Sequence, residues 1–385
     1  MDDLRDALEK QKDECSDSAG SLVWIEGGAL NERAADHTDL AETAPEVTIS
    51  VVMPNYNHAE FISTALDAVF AQEVLPEEII VVDDGSTDES RALIEQWVSR
   101  EPRIRAIFNS SNSGAIASIN QGLHVARGKY VCLMAADDLA YPNFFSEALA
   151  ALRKTPDVAL FCAEAHVQSM DSPQRKPEVR PVIRPSNVAR SFSPAETTSL
   201  LRYNDNFITP IAAVFRRSLI LAEGAFDPKL GSMADGFLSR RLALKYGFCF
   251  SPKVVVRWQV RGDGLSRTSS SDAIAVRRMS DEARMRISSD PVFPSDYAEM
   301  FDRRWRFSTC RVALAARVPD WDFLRSTGPQ NKVDLYLFGI ARKAGSQIGI
   351  YLALIWLTVR YRPYSLLAML ETYLRRRWEH VVQAK

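Results

Sequence analysis

Three short apolar runs between Val47 and Asp138 constrain the fold more than any other feature of the chain. VTISVVM runs into PNYN, EIIVV into DDGS, and YVCLM into AADD. Each run stops at polar residues that a strand interior would reject. Such runs read as strands of a parallel sheet buried on both faces, with carboxyl ends open to a ligand.

Helical periodicity fills the gaps between them. Phe61, Ile62, Ala65, Leu66, Val69 and Phe70 share one face, and Leu93, Ile94, Trp97 and Val98 share another behind a capping Asp88. IRAIFN, NSGAIASINQGLHVAR, the helix from Asn143 to Lys154 and the strand VALFCAEAHV continue the alternation. The spacing predicts parallel βαβ units and hence an α/β fold, with a doubly wound, mostly parallel sheet flanked by helices and a helical C-terminal extension.

Five segments follow from these patterns. Residues 1–46 form an acidic, poorly ordered extension, 47–160 a ligand-binding half, and 161–270 a second half ending in VVVRWQV and RGDGLSRTSS. Residues 271–330 are a helical region and 331–385 a basic amphipathic helical tail. Within the second half, residues 171–194 are rich in Pro and Arg, which predicts a mobile loop over the site.

A net charge of −2 argues against nucleic acid as the main partner. The tail departs from that balance, with Arg342, Lys343, Arg360, Arg362, Arg375, Arg376 and Arg377 set against Glu371 and Glu379. Cys15, Cys132, Cys162, Cys249 and Cys310 form no C-x-x-C pair and read as free thiols of a reducing compartment. Acidic residues follow Met1 where a signal peptide would be basic and then apolar, and no run is long enough to span a membrane, so a cytoplasmic location is expected. The tail reads either as helices packed on the domain or as an in-plane anchor on the inner face of the membrane. In the second case Trp356, Tyr361, Tyr364 and Trp378 sit at headgroup level and the arginines on anionic lipid.

Two acidic pairs carry the chemistry. Asp83–Asp84 before Gly85 reads as a turn when taken alone. Asp137–Asp138 ends a second buried strand, and like charges that close are unfavourable unless a cation accompanies them. A hard divalent ion such as Mg²⁺ or Mn²⁺, held by carboxylate and by substrate phosphates, resolves that cost. Tyr56 on the same edge can stack on a base while Asp84 accepts from a ring N–H, which together favour a nucleotide.

The stretches SVVMPNYNHAEFISTAL, IIVVDDGSTDES, NSGAIASINQGLHVARGKYVCLMAADDLAYP and FDPKLGSMADGFLSRRLALKYG, in this order from Val47 to about Ser270, resemble family 2 glycosyltransferases of the GT-A fold. The resemblance implies an inverting transferase acting on a nucleotide-diphosphate sugar, with a UDP-linked donor expected. It places Pro54, Tyr56, Asn57, Asp84, Asn112, Gly114, Asn120, Asp137 and Arg261 around the donor, Asp138 with Asp137 on the metal, and Asp235 as catalytic base. A lipid-linked or surface-polysaccharide hydroxyl is the expected acceptor.

The chain also departs from the family pattern. Ala234 stands where an acid often precedes the base, Ala135 and Ala136 where a third acid often precedes the metal pair, and Arg261 where several members have histidine. These departures keep two rivals in view, a polyprenyl-phosphate glycosyltransferase and a catalytically inactive nucleotide-sugar-binding partner. DRRW at 302–305 and RRRW at 375–378 lack the glutamine of the processive-synthase signature.

Overall fold

The computed structural model describes residues 48–202, 204, 206–261, 273–315, 321–327, 331–343, 347–361 and 365–383. The N-terminal extension and most of the RGDGLSRTSS stretch lie outside the described residues.

The first half alternates as the runs predict: β1 (Ile49–Asn55), α1 (Ile62–Phe70), β2 (Glu78–Asp83), α2 (Ser90–Arg100), β3 (Ile104–Phe108), α3 (Ala115–Val125) and β4 (Tyr130–Leu133). These strands lie parallel in the order β3-β2-β1-β4. Successive side chains of a strand point to opposite faces, so Val51 and Met53 join one core with α1 while Val52 joins another with Leu123 of α3. Both faces of β1 are therefore sealed, and each fully buried Val or Ile contributes about 1.5–3 kcal/mol. α3 sits so close that a Cβ added at Gly122 would come within 2.5 Å of Val52 Cγ1.

Past β4 come β5 (Leu139–Ala140), α4 (Phe144–Lys154), β6 (Leu160–Ser169), β7 (Glu178–Arg180), β8 (Arg190–Phe192), α5 (Pro194–Leu201), β9 (Ala213–Arg216), α6 (Arg217–Ala222), α7 (Ala234–Tyr246) and β10 (Phe248–Val260). The main path of the sheet is completed as β4-β9-β6-β10-β5, with β9 antiparallel to both its neighbours and β6 parallel to β10. Residues 171–194 were expected to be a mobile loop over the site. They are instead tied to the sheet by β7, antiparallel to β6, and by β8, antiparallel to Phe248–Phe250 at the start of β10. Backbone pairing, which does not depend on an apolar pattern, secures this polar segment.

Six helices follow among the described residues: α8 (Ala273–Ser289), α9 (Tyr297–Ala315), α10 (Trp321–Thr327), α11 (Lys332–Lys343), α12 (Gln347–Tyr361) and α13 (Leu366–Gln383). Met279, Ala283 and Ile287 of α8 and Tyr297 and Phe301 of α9 join the core of the sheet domain. Cys310, Leu314, Leu324, Phe338, Ala341, Ala353 and Leu357 form a separate cluster. The change of core thus falls inside α9. Cys132, Cys162, Cys249 and Cys310 are free and buried, and among the described residues no helix is long and apolar enough to cross a membrane.

Candidate active site

The tips of β1 and β2 are stitched together by side chains. Asn55 Nδ2 donates to Asp83 Oδ1 at 2.7 Å, and Ser86 Oγ donates to the same oxygen at 2.5 Å. Beyond β1 the chain turns at Asn57, whose φ of 54° asparagine tolerates better than most residues. Asn57 Oδ1 accepts from the Thr87 N–H at 2.8 Å, and the Asn57 N–H donates to Ser86 Oγ at 2.9 Å. Pro54 pairs in register with Val82. This bracing leaves Tyr56 on the edge with its ring 41% exposed, free to meet a flat ligand.

Asp84 is buried and already occupied. Its carboxylate accepts from Asn109 Nδ2 at 2.9 Å, from the Ser113 N–H at 3.0 Å and from the Gly114 N–H at 2.7 Å. The geometry therefore makes Asp84 the anchor of the 109–114 loop, with both oxygens engaged before any base arrives. Gly85 permits this closeness, because its φ is 72° and a Cβ there would meet the Ser111 backbone at 2.9 Å. Asn112 turns inward on its own loop, accepting from the Gly114 N–H at 2.9 Å, and Gly114 (φ 94°) starts α3.

The second acidic pair does not end a strand. β4 stops at Leu133, and Asp137 and Asp138 lie in the turn between β4 and the two-residue β5. The small residues Ala135 and Ala136 read as a continuing run, but the chain has already left the ladder. Asp138 is buried, and Oδ1 accepts from the Gln259 N–H of β10 at 2.8 Å. Gln259 Nε2 also donates to the Asp137 carbonyl at 2.6 Å, so β10 fixes the pair from both sides. Burial, reinforced by repulsion from Asp137, pushes the Asp138 carboxyl well above the usual carboxylate range, and the Gln259 N–H only partly offsets this. His58 Nε2 lies 3.9 Å from Asp137 Oδ2, and the Arg261 guanidinium sits 4.8 Å from the Phe61 ring centroid, next to His58 in the same aromatic group.

A divalent cation fits this pair. A buried carboxylate beside a second one is costly without a positive charge, and among the described residues Asp138 accepts from the Gln259 N–H where a carboxylate can accept several hydrogen bonds. Among the described residues no group of three or more His, Cys, Asp or Glu stands ready to cage a metal by itself. Mg²⁺ and Mn²⁺ sites commonly take one or two carboxylates and complete their shell with substrate phosphates and water.

Asp235 opens α7, and its Oδ1 accepts from the Gly236 N–H at 2.5 Å. Burial raises its pKa above the ordinary value, partly offset by the Gly236 N–H and by the charge of Arg240. Arg240 is itself buried, one turn along, donating to the Gly236 carbonyl at 2.7 Å. The segment before α7 is tied to α3 by Asn120. That side chain donates to the Phe226 carbonyl at 2.7 Å and accepts from the Phe226 N–H at 3.0 Å. Asn120, expected around the donor, thus has both amide atoms on the segment leading to Asp235.

Residues 50–221 match the family model described as glycosyl transferase family 2. Over these residues the chain is similar to family 2 glycosyltransferases. Its relatives include the uncharacterized glycosyltransferase YibD of Escherichia coli (strain K12), 35% identical over 112 residues, which is 29% of this chain and 32% of YibD. Another is the putative teichuronic acid biosynthesis glycosyltransferase TuaG of Bacillus subtilis (strain 168), 36% identical over 23% of this chain and 36% of TuaG. The chain thus matches about a third of the length of these two relatives. Among solved structures, S. aureus TarS 1–349 in complex with UDP-GlcNAc is similar with a TM-score of 0.53 and 18% identity, covering 80% of this chain and 89% of that one. The mannosyltransferase PcManGT from Pyrobaculum calidifontis, in complex with GDP-Man and Mn²⁺, gives 0.50 and 20%, covering 81% and 86%. The transferase domain has the GT-A fold that the sequence resemblance implies.

Three residues around the domain's edge were not singled out from sequence. His58 was passed over inside PNYNHAEF, although a histidine four residues past a predicted strand is a signal. Gln259 gave none because folding alone brings it to the Asp137 carbonyl and the Asp138 carboxylate, and Arg240 gave none because it reads as an ordinary helix arginine.

Proposed function

We propose that the domain is an inverting glycosyltransferase that moves one sugar from a nucleotide-diphosphate donor to an acceptor hydroxyl. The observation that carries this reading is the buried Asp138 beside Asp137 on the edge that bears the exposed Tyr56 ring. Tyr56 stacks on the base, and Asn57, Pro54 and the loop that Asp84 anchors through Ser113 and Gly114 frame its pocket. Arg261 pairs with the diphosphate. Mn²⁺ or Mg²⁺ bound by Asp138 and Asp137 would neutralise charge on the departing nucleoside diphosphate.

Asp235 acts as general base. Its carboxylate takes the proton of the acceptor hydroxyl as that oxygen bonds to C1 of the sugar, while the bond from C1 to the diphosphate breaks on the opposite face. One displacement inverts the anomeric centre. A uridine donor is favoured by the likeness to TarS, whose complex holds UDP-GlcNAc. A glycan or lipid-linked acceptor at the inner face of the membrane is favoured by the basic tail and by the likeness to TuaG.

A thermal-shift screen of nucleotide sugars with Mn²⁺ identifies the donor, and transfer is then measured with it. Asp235→Asn is expected to lower kcat by about 10²–10⁴ and leave the donor dissociation constant unchanged. An equal loss of donor affinity and turnover would remove Asp235 from the base role.

A further inference from the structure

The helical tail presents its apolar sides outward. In α13 the side turned to the domain is held by polar groups, with Ala368 and Met369 half-buried beside them. Thr372 is buried, and Arg376 donates from Nε and Nη2 to Glu164 Oε1 of β6 at 3.2 and 2.5 Å, and from Nη2 to the Pro181 carbonyl at 2.6 Å. Leu367, Leu370, Leu374 and Trp378 recur at helical spacing on the opposite side, where Leu367 is 79% and Trp378 71% exposed. A helix of a water-soluble domain normally has the reverse arrangement.

The same holds next door. α12 buries Ala353 and Leu357 in the small cluster it shares with α9 and α11, yet Ile348, Tyr351, Leu352, Ile355 and Val359 line its outer side. On α11, Asp334 faces inward and accepts from Trp356 Nε1 at 2.6 Å, while Val333, Tyr336 and Ile340 are exposed. Trp356, expected at headgroup level, is therefore turned into the cluster. Tyr361 has no described side chain, and Tyr364 lies outside the described residues. Arg376, expected on lipid, is the bolt that holds α13 to the domain.

We infer that the outer sides of α12 and α13 form a docking surface for an anionic lipid bilayer. The chemistry matches that partner: Leu and Ile stripes provide the inserted area, Tyr351, Tyr373 and Trp378 are aromatic rings that favour the headgroup boundary, and Lys343 and Arg377 are exposed cations of the same tail. The bond between Arg376 and Glu164 decides which side of α13 faces away from the domain. The inference stands apart from the transfer chemistry, because vesicle binding is read without donor or metal.

The test is co-sedimentation of the full chain with phosphatidylcholine vesicles, with and without phosphatidylglycerol, at low and high salt. Binding is expected to be about tenfold stronger to the anionic vesicles and to weaken with salt. The Leu374→Glu, Trp378→Glu double variant and, separately, Ile355→Glu lose that binding about tenfold or more at an unchanged melting temperature, since these side chains touch solvent. Absence of sedimentation with any vesicle overturns the inference. So does a dimer in light scattering that the same variants convert to monomer, which would assign the surface to a second copy of the chain.

Discussion

Asp84 offers the sharpest separation between a residue that holds the site together and one that only meets the ligand. Its buried carboxylate takes the Ser113 and Gly114 N–H groups and Asn109 Nδ2, and the Gly114 N–H is shared with Asn112 Oδ1. Hydrogen bonds to a charged group are worth about 1.5–3 kcal/mol each, but Ser113 and Gly114 are exposed and regain water when the acceptor is removed, so Asp84→Ala is expected to cost about 2–4 kcal/mol. At about 2–4 °C per kcal/mol for a domain of this size, the melting temperature falls by roughly 4–16 °C. Asp84→Asn, which keeps one acceptor oxygen, falls between wild type and Asp84→Ala. Scanning calorimetry on the ligand-free protein measures both, and isothermal titration with the donor follows. If Asp84→Ala melts with wild type while donor affinity collapses, the anchoring argument is wrong and the residue serves the base directly.

Two further outcomes concern charge. Asp138 has a folded-state pKa raised above its unfolded value, so its contribution to stability is complete below the unfolded pKa and is lost as pH rises through the folded one. Metal-free protein should therefore lose stability from acidic to neutral pH through this group; Asp138→Asn should raise the metal-free melting temperature at neutral pH and abolish the upward shift produced by Mn²⁺, both read by thermal melts. Asp235 must be ionised to act as a base, and Arg240 opposes the rise in its pKa. Arg240→Met is thus expected to move the acidic limb of the kcat/KM profile to higher pH, and an unmoved limb with reduced kcat would mean that Arg240 only supports the fold.

The buried strands could be read from sequence because a strand covered on both faces is nearly continuous in apolar residues, as in β1 and β2. β7 and β8 could not, since their pairing uses main-chain groups and places Arg and Glu at the rim. Asp137 and Asp138 were assigned to the right edge but to a strand end, because alanines leave no mark where a ladder stops. Two of the partners of Asp84 are main-chain amides about thirty residues along the chain, which no side-chain pattern records. In the tail, periodicity distinguishes two sides of α13 but carries no information on which one docks. That is decided by Arg376 finding Glu164, a partner 212 residues away.

The clamp between Asn120 and Phe226 also bears on the order in which the protein is made. Its two partners are 106 residues apart, and chains emerge from the ribosome N-terminus first. The strands that carry Tyr56, Asp84 and the acidic pair can therefore associate while Phe226 and Asp235 are still unmade. Such a nascent half has the proposed nucleotide cradle but lacks the proposed proton acceptor, so it cannot run the proposed transfer. Competence for that transfer needs the chain out to β10 as well, since Asp235 follows Phe226 and Gln259 holds the acidic pair.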